Sequence, residues 1–493
     1  MSVRVRLAPS PTGEPHIGTM RTAIFDWLLA RHEGGSLIVR VEDTDRARYS
    51  PQAVESLLSA MRWLGLDWDE GPEVGGPFGP YVQSQRLESY QSAAEQLVEQ
   101  GQAYHCYCSA ERLEEMRRAQ QAAKQPPRYD RRCRELSSED RRRHEMARDR
   151  SVVRFAVREQ GETRVYDLIR GEITFANASQ DDFVMLKSDG FPTYHLAVVV
   201  DDHVMQISHV LRGDEWLPSF PKHVMLYEAF GYPQPVFAHL PLILGSDRKK
   251  LSKRMGDTSV AAFRQEGYLP QALFNFLALL GWSLDDKTEI ISREEFVEHF
   301  SLDRVSKSPA ILDLDKLKWM NGEYIRMLPK EELARLMAER LELELPPEVK
   351  RPLSADYVGR MVPLVQTRLK LLSEVTALTD FFFTSGPPEY SLATLLGKRF
   401  AQEPALAADV LRDLLKAVTW VPEWTGHELE RAIEPLTAQF GLKKGDLYGL
   451  IRVAISGKTI APPLFESMEV LGRPRSIERL EAAQHHLGGG VGA

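Results

Sequence analysis

The chain opens on alternation. Val3, Val5 and Leu7 are apolar while Arg4 and Arg6 between them are charged, which predicts a strand over Val3–Leu7. A turn-rich loop with Pro9, Pro11, Gly13, Pro15 and Gly18 follows, then a mostly apolar stretch predicting a helix over Arg21–Arg31. The run Ser36–Glu42 predicts a second strand. Strand, loop, helix and strand in this order form the repeating unit of a parallel sheet. Ligands of such sheets sit at the loops leaving the strand ends. Chemistry is therefore expected in the loop Ala8–Thr19.

Residues 104–150 change character: they hold every cysteine and a dense set of arginines, among them Arg128, Arg131, Arg132, Arg134 and the run Arg141–Arg143. Ser151–Val157 and Glu172–Ala176 then predict short antiparallel strands. The apolar run Leu196–Val200 predicts a strand that returns to the parallel sheet, so the intervening residues read as an insertion splitting one α/β domain. From about residue 329 the period becomes helical, with Leu333, Leu336, Met337 and Leu341 on one face. Pro346-Pro347 and Gly386–Pro388 mark linkers or helix ends. No internal repeat is present, and the low-complexity character is confined to the glycine-rich tail 487–493.

At 493 residues the chain exceeds what one compact core accommodates. Hydrophobic content of 43% and charged content of 27% are those of a folded globular protein. The net charge of −8 excludes a broadly basic nucleic-acid binder, so any RNA contact must come from local basic surfaces. Arg4 and Arg6 stand where a secretion signal needs apolar residues, and no run has the length of a membrane span. Three cysteines, Cys106, Cys108 and Cys133, are too few and odd in number for a disulfide framework. The expectation is a soluble protein of the cytoplasm.

Two segments carry candidate chemistry. Pro9–Gly18 sits between the first strand and helix, where Gly18 lets a ligand approach the backbone and His16 can hydrogen-bond a phosphate. Alone, an ordinary turn with an incidental surface histidine is the commoner origin of such a motif. Ser246–Arg254 groups several cations around Ser252, suited to clamping a triphosphate and neutralising a leaving pyrophosphate. Alone, it fits a solvated charged face. Their combination, in this order and about 230 residues apart, is more specific than either.

His16-Ile-Gly-Thr19 and Lys250-Leu-Ser-Lys-Arg254 resemble the two signatures of the class I aminoacyl-tRNA synthetases. Arg6–Gly13, Val41–Arg46, Pro192–His195, Leu211–Trp216 and Ile460–Met468 narrow the resemblance to the bacterial glutamyl branch, across essentially the whole chain. The resemblance implies an α/β fold: a Rossmann-like parallel sheet split by an α+β insertion and followed by an all-α anticodon-binding region. It implies catalytic halves at 1–85 and 194–245 and an insertion for the tRNA acceptor end at 86–193. A stem-contact domain at 246–328 and helical anticodon-binding domains at 329–388 and 389–493 complete the division.

The same resemblance implies a catalytic set of His16, Gly18, Thr19, Lys250, Ser252 and Lys253, and an ATP site of Pro9, His16, Gly18, Lys250 and Lys253. Glutamate would be held by Arg6, Ser10, Glu42, Tyr194, Arg212 and Trp216. Arginine suits this task because its planar fork matches a carboxylate, and Arg6 ends a strand where an unpaired cation would be costly. Val198 departs from the branch, which carries Asn there, and removes a possible hydrogen bond to substrate. ATP with Mg²⁺, L-glutamate and tRNA are the implied cofactor and partners, and a monomer is the implied state. Charging of tRNA(Gln) besides tRNA(Glu) depends on anticodon discrimination. Arg368 falls in the region resembling the anticodon reader.

Cys106, Cys108 and Cys133 resemble the Zn²⁺ site of some members, with Glu135 where those carry His. Tyr129 or His105 could complete a tetrahedral set; a metal-free hairpin is the other reading. Glutaminyl enzymes share both signatures but carry a β-barrel anticodon module, and the truncated base-modifying paralogue has no anticodon domain. A small-molecule nucleotidyltransferase has no use for residues 329–493. A non-catalytic tRNA-binding paralogue would not need His16, Gly18, Lys250, Ser252 and Lys253 intact.

Overall fold

The computed structural model describes residues 2–11, 13–249 and 258–488. They fall into two compact units, Met1–Phe263 with Leu273–Leu314, and Arg264–Ala272 with Asp315–Ala493.

The first unit begins with strand β1 (Arg4–Leu7), helix α1 (Ile17–His32) and strand β2 (Ser36–Val39), β1 pairing with β2 in parallel. Helix α1 starts four residues before the position that periodicity predicts. Its cap is the side chain of His16, whose Nδ1 accepts the Gly18 N–H at 3.0 Å. The helix is buried on nearly every side: Ile17, Met20, Ile24, Phe25 and Leu28 have no exposed surface. Each such side chain contributes about 1.5–3 kcal/mol by leaving water, and an all-round apolar helix is what the interior of a large domain requires.

Helix α2 (Pro51–Trp63) leads into the insertion, which opens with α3 (Leu87–Glu99). Its further elements are β3 (Ala103–Cys106), α4 (Ala110–Ala122), α5 (Ser138–Ala147), β4 (Val152–Phe155), β5 (Glu162–Asp167), β6 (Gly171–Ala176) and β7 (Val184–Leu186). Strands β3, β4 and β7 form an antiparallel sheet, and β5 pairs antiparallel with β6. The chain continues through α6 (Tyr194–Val204), β8 (His209–Gly213), α7 (Phe220–Phe230) and β9 (Val236–Leu240). β8 and β9 are parallel, and β5 joins the free edge of β9, giving the order β6-β5-β9-β8.

The strand expected at Leu196–Val200 is instead the middle of α6. A short apolar run has no period of its own, and these five residues are buried on all faces in a core shared with α3, α7 and β9. The return to the parallel sheet is made by β8 and β9. Ser208 N–H bonds the Arg4 carbonyl at 2.9 Å, setting β8 beside β1.

In the second unit the residues Leu333, Met337 and Leu341 of the helix Lys330–Glu344 are fully buried, with Leu336 half-buried beside them. One apolar core runs from Leu269 to Leu487 through successive helices. Within it Arg479 has no exposed surface. Its guanidinium donates to the carbonyls of Ile455 at 2.6 Å, Phe381 at 2.8 Å and Thr384 at 3.0 Å, tying three chain segments together. Among the described residues no helix is long and apolar enough to cross a membrane.

Candidate active site

The loop leaving β1 is fixed at its far end by α1. Nδ1 of the exposed His16 is occupied by the Gly18 amide, which fixes the direction of its ring at the start of α1. A Cβ at position 18 would sit 2.9 Å from the His16 ring, so glycine is what lets the cap close. Thr19 donates its N–H to the His16 carbonyl at 3.0 Å. His16 also pairs antiparallel with Ser259, Ile17 N–H donates to the Thr258 carbonyl at 3.1 Å, and Val260 N–H to the Pro15 carbonyl at 3.1 Å. Lys250, Ser252 and Lys253 lie outside the described residues. The chain that follows them, at Thr258–Val260, is laid along the start of α1.

Beside this loop lies a cluster of buried charge. Arg40 has no exposed surface and bonds Asp202 at 2.7 Å and Glu42 at 2.9 Å, with Asp201 at 3.7 Å. Asp201 also receives Arg86 at 2.8 Å, Gln83 at 2.9 Å and the Tyr90 hydroxyl at 2.8 Å. Arg6 ion-pairs with Asp202 at 3.3 Å and donates to the Leu211 carbonyl at 3.4 Å, so the cation ending β1 is paired. Three guanidinium groups thus meet three carboxylates. Burial pushes the Glu42 carboxyl up to about 7, against the pull of Arg40 and Arg6. Asp26 on α1 is also fully buried with both oxygens unpartnered, and burial raises its carboxyl well above the ordinary range, toward the neutral form.

Arg212, at the end of β8, differs from the other three. It is 5% exposed, and among the described residues no carboxylate lies within ion-pairing distance of it. Its Nε donates to His239 Nε2 at 2.9 Å and its Nη1 meets His223 Nδ1 at 2.9 Å, while its buried Nη2 has no hydrogen-bond partner. Burial lowers its affinity for the proton. Tyr194, the first residue of α6, stands next to it and packs on Trp216 with ring centres 4.5 Å apart and planes tilted by 36°. Val198, one helical turn on, is buried in the apolar core. Pro9 accepts from Glu42 N–H at 3.0 Å, which holds the loop against the segment after β2 that bears Glu42, and Ser10 is exposed beside it. Sequence reading missed Arg40, Asp201, Asp202, His223 and His239. Arg40 shares a strand face with Glu42, two residues on, a usable signal. The two aspartates and two histidines gave none, because their partners are distant in the chain.

The three cysteine sulfurs lie within 4.8 Å of one another. Of the two proposed additional ligands, Tyr129 is at the cluster, its hydroxyl 3.3 Å from Cys106 Sγ and 3.4 Å from Cys108 Sγ. His105 points elsewhere, toward Ser151 at 3.1 Å. Hydrogen bonds from Cys133 and Tyr129 hold the Cys106 thiol well below the ordinary thiol range in spite of burial. Four convergent S and O donors with a readily ionised thiol suit a tetrahedral divalent ion.

The arginines of the insertion are divided in their engagements. Arg131 and Arg134 pair with buried Asp182 at 3.3 and 3.4 Å, and Arg143 with Glu139 and Asp140 on α5, which buries no residue. Arg368 donates to the Ala461 carbonyl at 3.0 Å.

A fold of this kind, a split parallel sheet with its ligand loop capping the first helix and a helical unit beyond, defines a class I synthetase. The family described as class I tRNA synthetases (E and Q), catalytic domain, matches residues 2–319, and an anticodon binding domain matches 332–484. The chain is 52% identical to a glutamate–tRNA ligase of Dehalococcoides mccartyi (strain CBDB1), covering 98% of this chain and 97% of that one. It is 47% identical to that of Moorella thermoacetica, covering 98% of each. A crystal structure of a glutamate tRNA ligase from Elizabethkingia meningosepticum in complex with its amino acid has a TM-score of 0.89 at 34% identity, covering 99% of this chain and 100% of that one. The chain belongs to the glutamate–tRNA ligases of the class I aminoacyl-tRNA synthetases.

Proposed function

We propose that this chain joins L-glutamate to ATP as glutamyl-adenylate and passes the glutamyl group to the 3′-terminal ribose of tRNA(Glu). The observation that carries the assignment of its substrate is Arg212: a buried guanidinium beside Tyr194, itself against Trp216, with no carboxylate of its own among the described residues. An acidic side chain supplies the missing charge. Glutamine, with a neutral amide, leaves that guanidinium uncompensated, and sites built on a charge complement reject such isosteres strongly. Glu42 accepts the substrate ammonium, Arg6 holds the second carboxylate, and Ser10 and Trp216 close the pocket.

In the first step an α-carboxylate oxygen attacks the α-phosphorus of ATP, and the bond to the bridging oxygen of pyrophosphate breaks. Gly18 and Pro9 let the nucleotide lie against the loop. His16, Lys250 and Lys253 stabilise the charge moving onto pyrophosphate, with Thr19 and Ser252 supporting the two signature loops. The Mg²⁺ that accompanies ATP supplies further neutralisation of the phosphates. In the second step a terminal ribose hydroxyl attacks the activated carbonyl and AMP departs. Neither step needs a protein nucleophile, so positioning and electrostatics supply the acceleration.

The division into 1–85, 86–193, 194–245, 246–328, 329–388 and 389–493 assigns the acceptor end to the arginines of the insertion and the anticodon to the helical unit, with Arg368 as a reader. Cys106, Cys108, Tyr129 and Cys133 would hold a structural Zn²⁺ that cross-links the base of the insertion. The protein acts as a monomer in the cytoplasm, and charges tRNA(Gln) too if its anticodon reading is relaxed. The test is glutamate-dependent pyrophosphate exchange with tRNA present: the wild type is active with glutamate and inactive with glutamine, and Lys253→Ala abolishes exchange. Unchanged exchange in that variant would overturn the assignment of the loop.

A further inference from the structure

Arg212 is held by imidazoles, and one of them leads out of the pocket into the insertion. His239 Nδ1 meets Asp167 Oδ2 at 2.7 Å, and the His239 backbone N–H donates to the same oxygen at 2.9 Å. The other oxygen of Asp167 accepts the amides of Ile169 at 3.1 Å and Arg170 at 2.8 Å. Asp167 and His239 have no exposed surface. Asp167 is the last residue of β5, the strand by which the insertion joins β9, with Asp167 opposite Phe237.

The tautomers follow from donor counting. Arg212 Nε carries one hydrogen, aimed at His239 Nε2, so that nitrogen must be the bare one and His239 must carry its hydrogen on Nδ1. Asp167 is the group that makes this so, because an ionised carboxylate only accepts. Its carboxyl is held low by hydrogen bonds from His239 and Arg170 in spite of burial. A protonated His239 would set two cations in contact, and burial lowers its proton affinity accordingly. On the other side, His223 accepts from Arg212 at Nδ1 and donates from Nε2 to His195 Nδ1 at 3.1 Å.

We propose that Asp167 and His239 are positioning residues for the carboxylate-binding arginine: the insertion strand, through one imidazole, aims the Arg212 fork at the acidic side chain of the substrate. This rests on the proposed role of Arg212 and extends it to two residues that touch no substrate. Two of the five guanidinium hydrogens are spent on the imidazoles, which fixes the plane of the fork. The unpartnered Nη2 is then the edge presented to the ligand.

Asp167→Asn decides the matter. An amide can donate to Nδ1, which moves the ring hydrogen to Nε2 and sets donor against donor at Arg212. The KM for glutamate in pyrophosphate exchange with tRNA should rise about 10- to 100-fold, the range of a hydrogen bond to a charged group, with the KM for ATP within about 2-fold. His239→Gln keeps an acceptor without a tautomer. It should lose less than Asp167→Asn, and adding Asp167→Asn to it should cause little further loss. A merely structural role would move both KM values or the melting temperature and would show no such rescue. Equal KM values for glutamate in folded Asp167→Asn and wild type would overturn the proposal, as would additive losses in the double variant. If Asp167→Asn does not fold, a glutamate KM in His239→Leu equal to that in His239→Gln overturns it. A wild type that exchanges no pyrophosphate with glutamate would instead refute the assigned function itself.

Discussion

His16 and Ser259 face one another across an antiparallel backbone bridge, which seats the chain emerging from the Lys250–Arg254 segment on the entrance of α1. Residues separated by more than two hundred positions thereby meet at the start of one helix. The hydrogen bonds that join the two segments at Ile17 and Val260 are backbone to backbone. They persist under side-chain substitution, so the chemistry of His16 can be tested apart from the geometry of the loop.

His16→Asn makes that separation. Asparagine is as good a helix cap as this site needs, so the melting temperature should stay near that of the wild type. The imidazole is lost, and pyrophosphate exchange should fall about 100-fold, the scale of one donor removed from a charged transition state. Equal losses of stability and rate would show that His16 only caps.

Arg212→Lys keeps the charge and loses the fork. One of the two imidazole acceptors is left without a donor, and the substrate carboxylate loses its planar partner. The KM for glutamate should rise at least about 100-fold while ATP binding is retained. A lysine variant with wild-type KM would mean that a point charge suffices and that the neighbouring histidines are incidental.

Glu42 predicts a pH dependence. Its carboxyl titrates near 7 because burial outweighs Arg40 and Arg6, and only the ionised form accepts the substrate ammonium. The sign follows: as pH falls through about 7 the empty pocket gains a proton that glutamate must displace, so KM for glutamate rises, and above 8 it levels. Glu42→Gln should have a high KM that is flat between pH 6 and 8. A wild-type profile flat over the same interval would remove Glu42 from this role.

The cysteine cluster predicts about one zinc per purified chain. Tyr129→Phe should weaken zinc retention about 10- to 100-fold against a chelator, and His105→Ala should leave it unchanged. Loss in the His105 variant, or a metal-free protein when grown with zinc, would contradict the four-residue set.

The sequence made the entrance of the fold legible because its signals are local: alternation at Val3–Leu7, proline and glycine in the loop, and a long apolar helix before Ser36. Local signals misled at Leu196–Val200, where a run buried on all sides has the same composition as a strand and a helix. The helical unit was visible from its period, and Leu333, Met337 and Leu341 are buried as that period requires. Arg6 was recognisable as a cation needing a partner, yet Asp202, almost two hundred residues away, was not identifiable as that partner. His239 and Asp167 were invisible for the same reason, since their significance lies in a hydrogen-bond direction that only the fold assembles. Tyr129 and His105 were indistinguishable as ligands until the hairpin set one phenol among the sulfurs.

Strand β5 has a consequence for how the catalytic half can be taken apart. Because it lies between β6 and β9, the residues excised with a shortened insertion would include a strand of the sheet that holds β8 and β9. The edge of β9 at Phe237–His239 would then be bare, the Phe237 carbonyl losing the Leu168 amide and the His239 amide losing the Asp167 carboxylate, open to recruit another chain. A miniaturised enzyme lacking 86–193 should therefore precipitate rather than survive as a smaller activating core. Any workable trimming has to stop short of Glu162 and leave the Glu162–Ala176 hairpin in place.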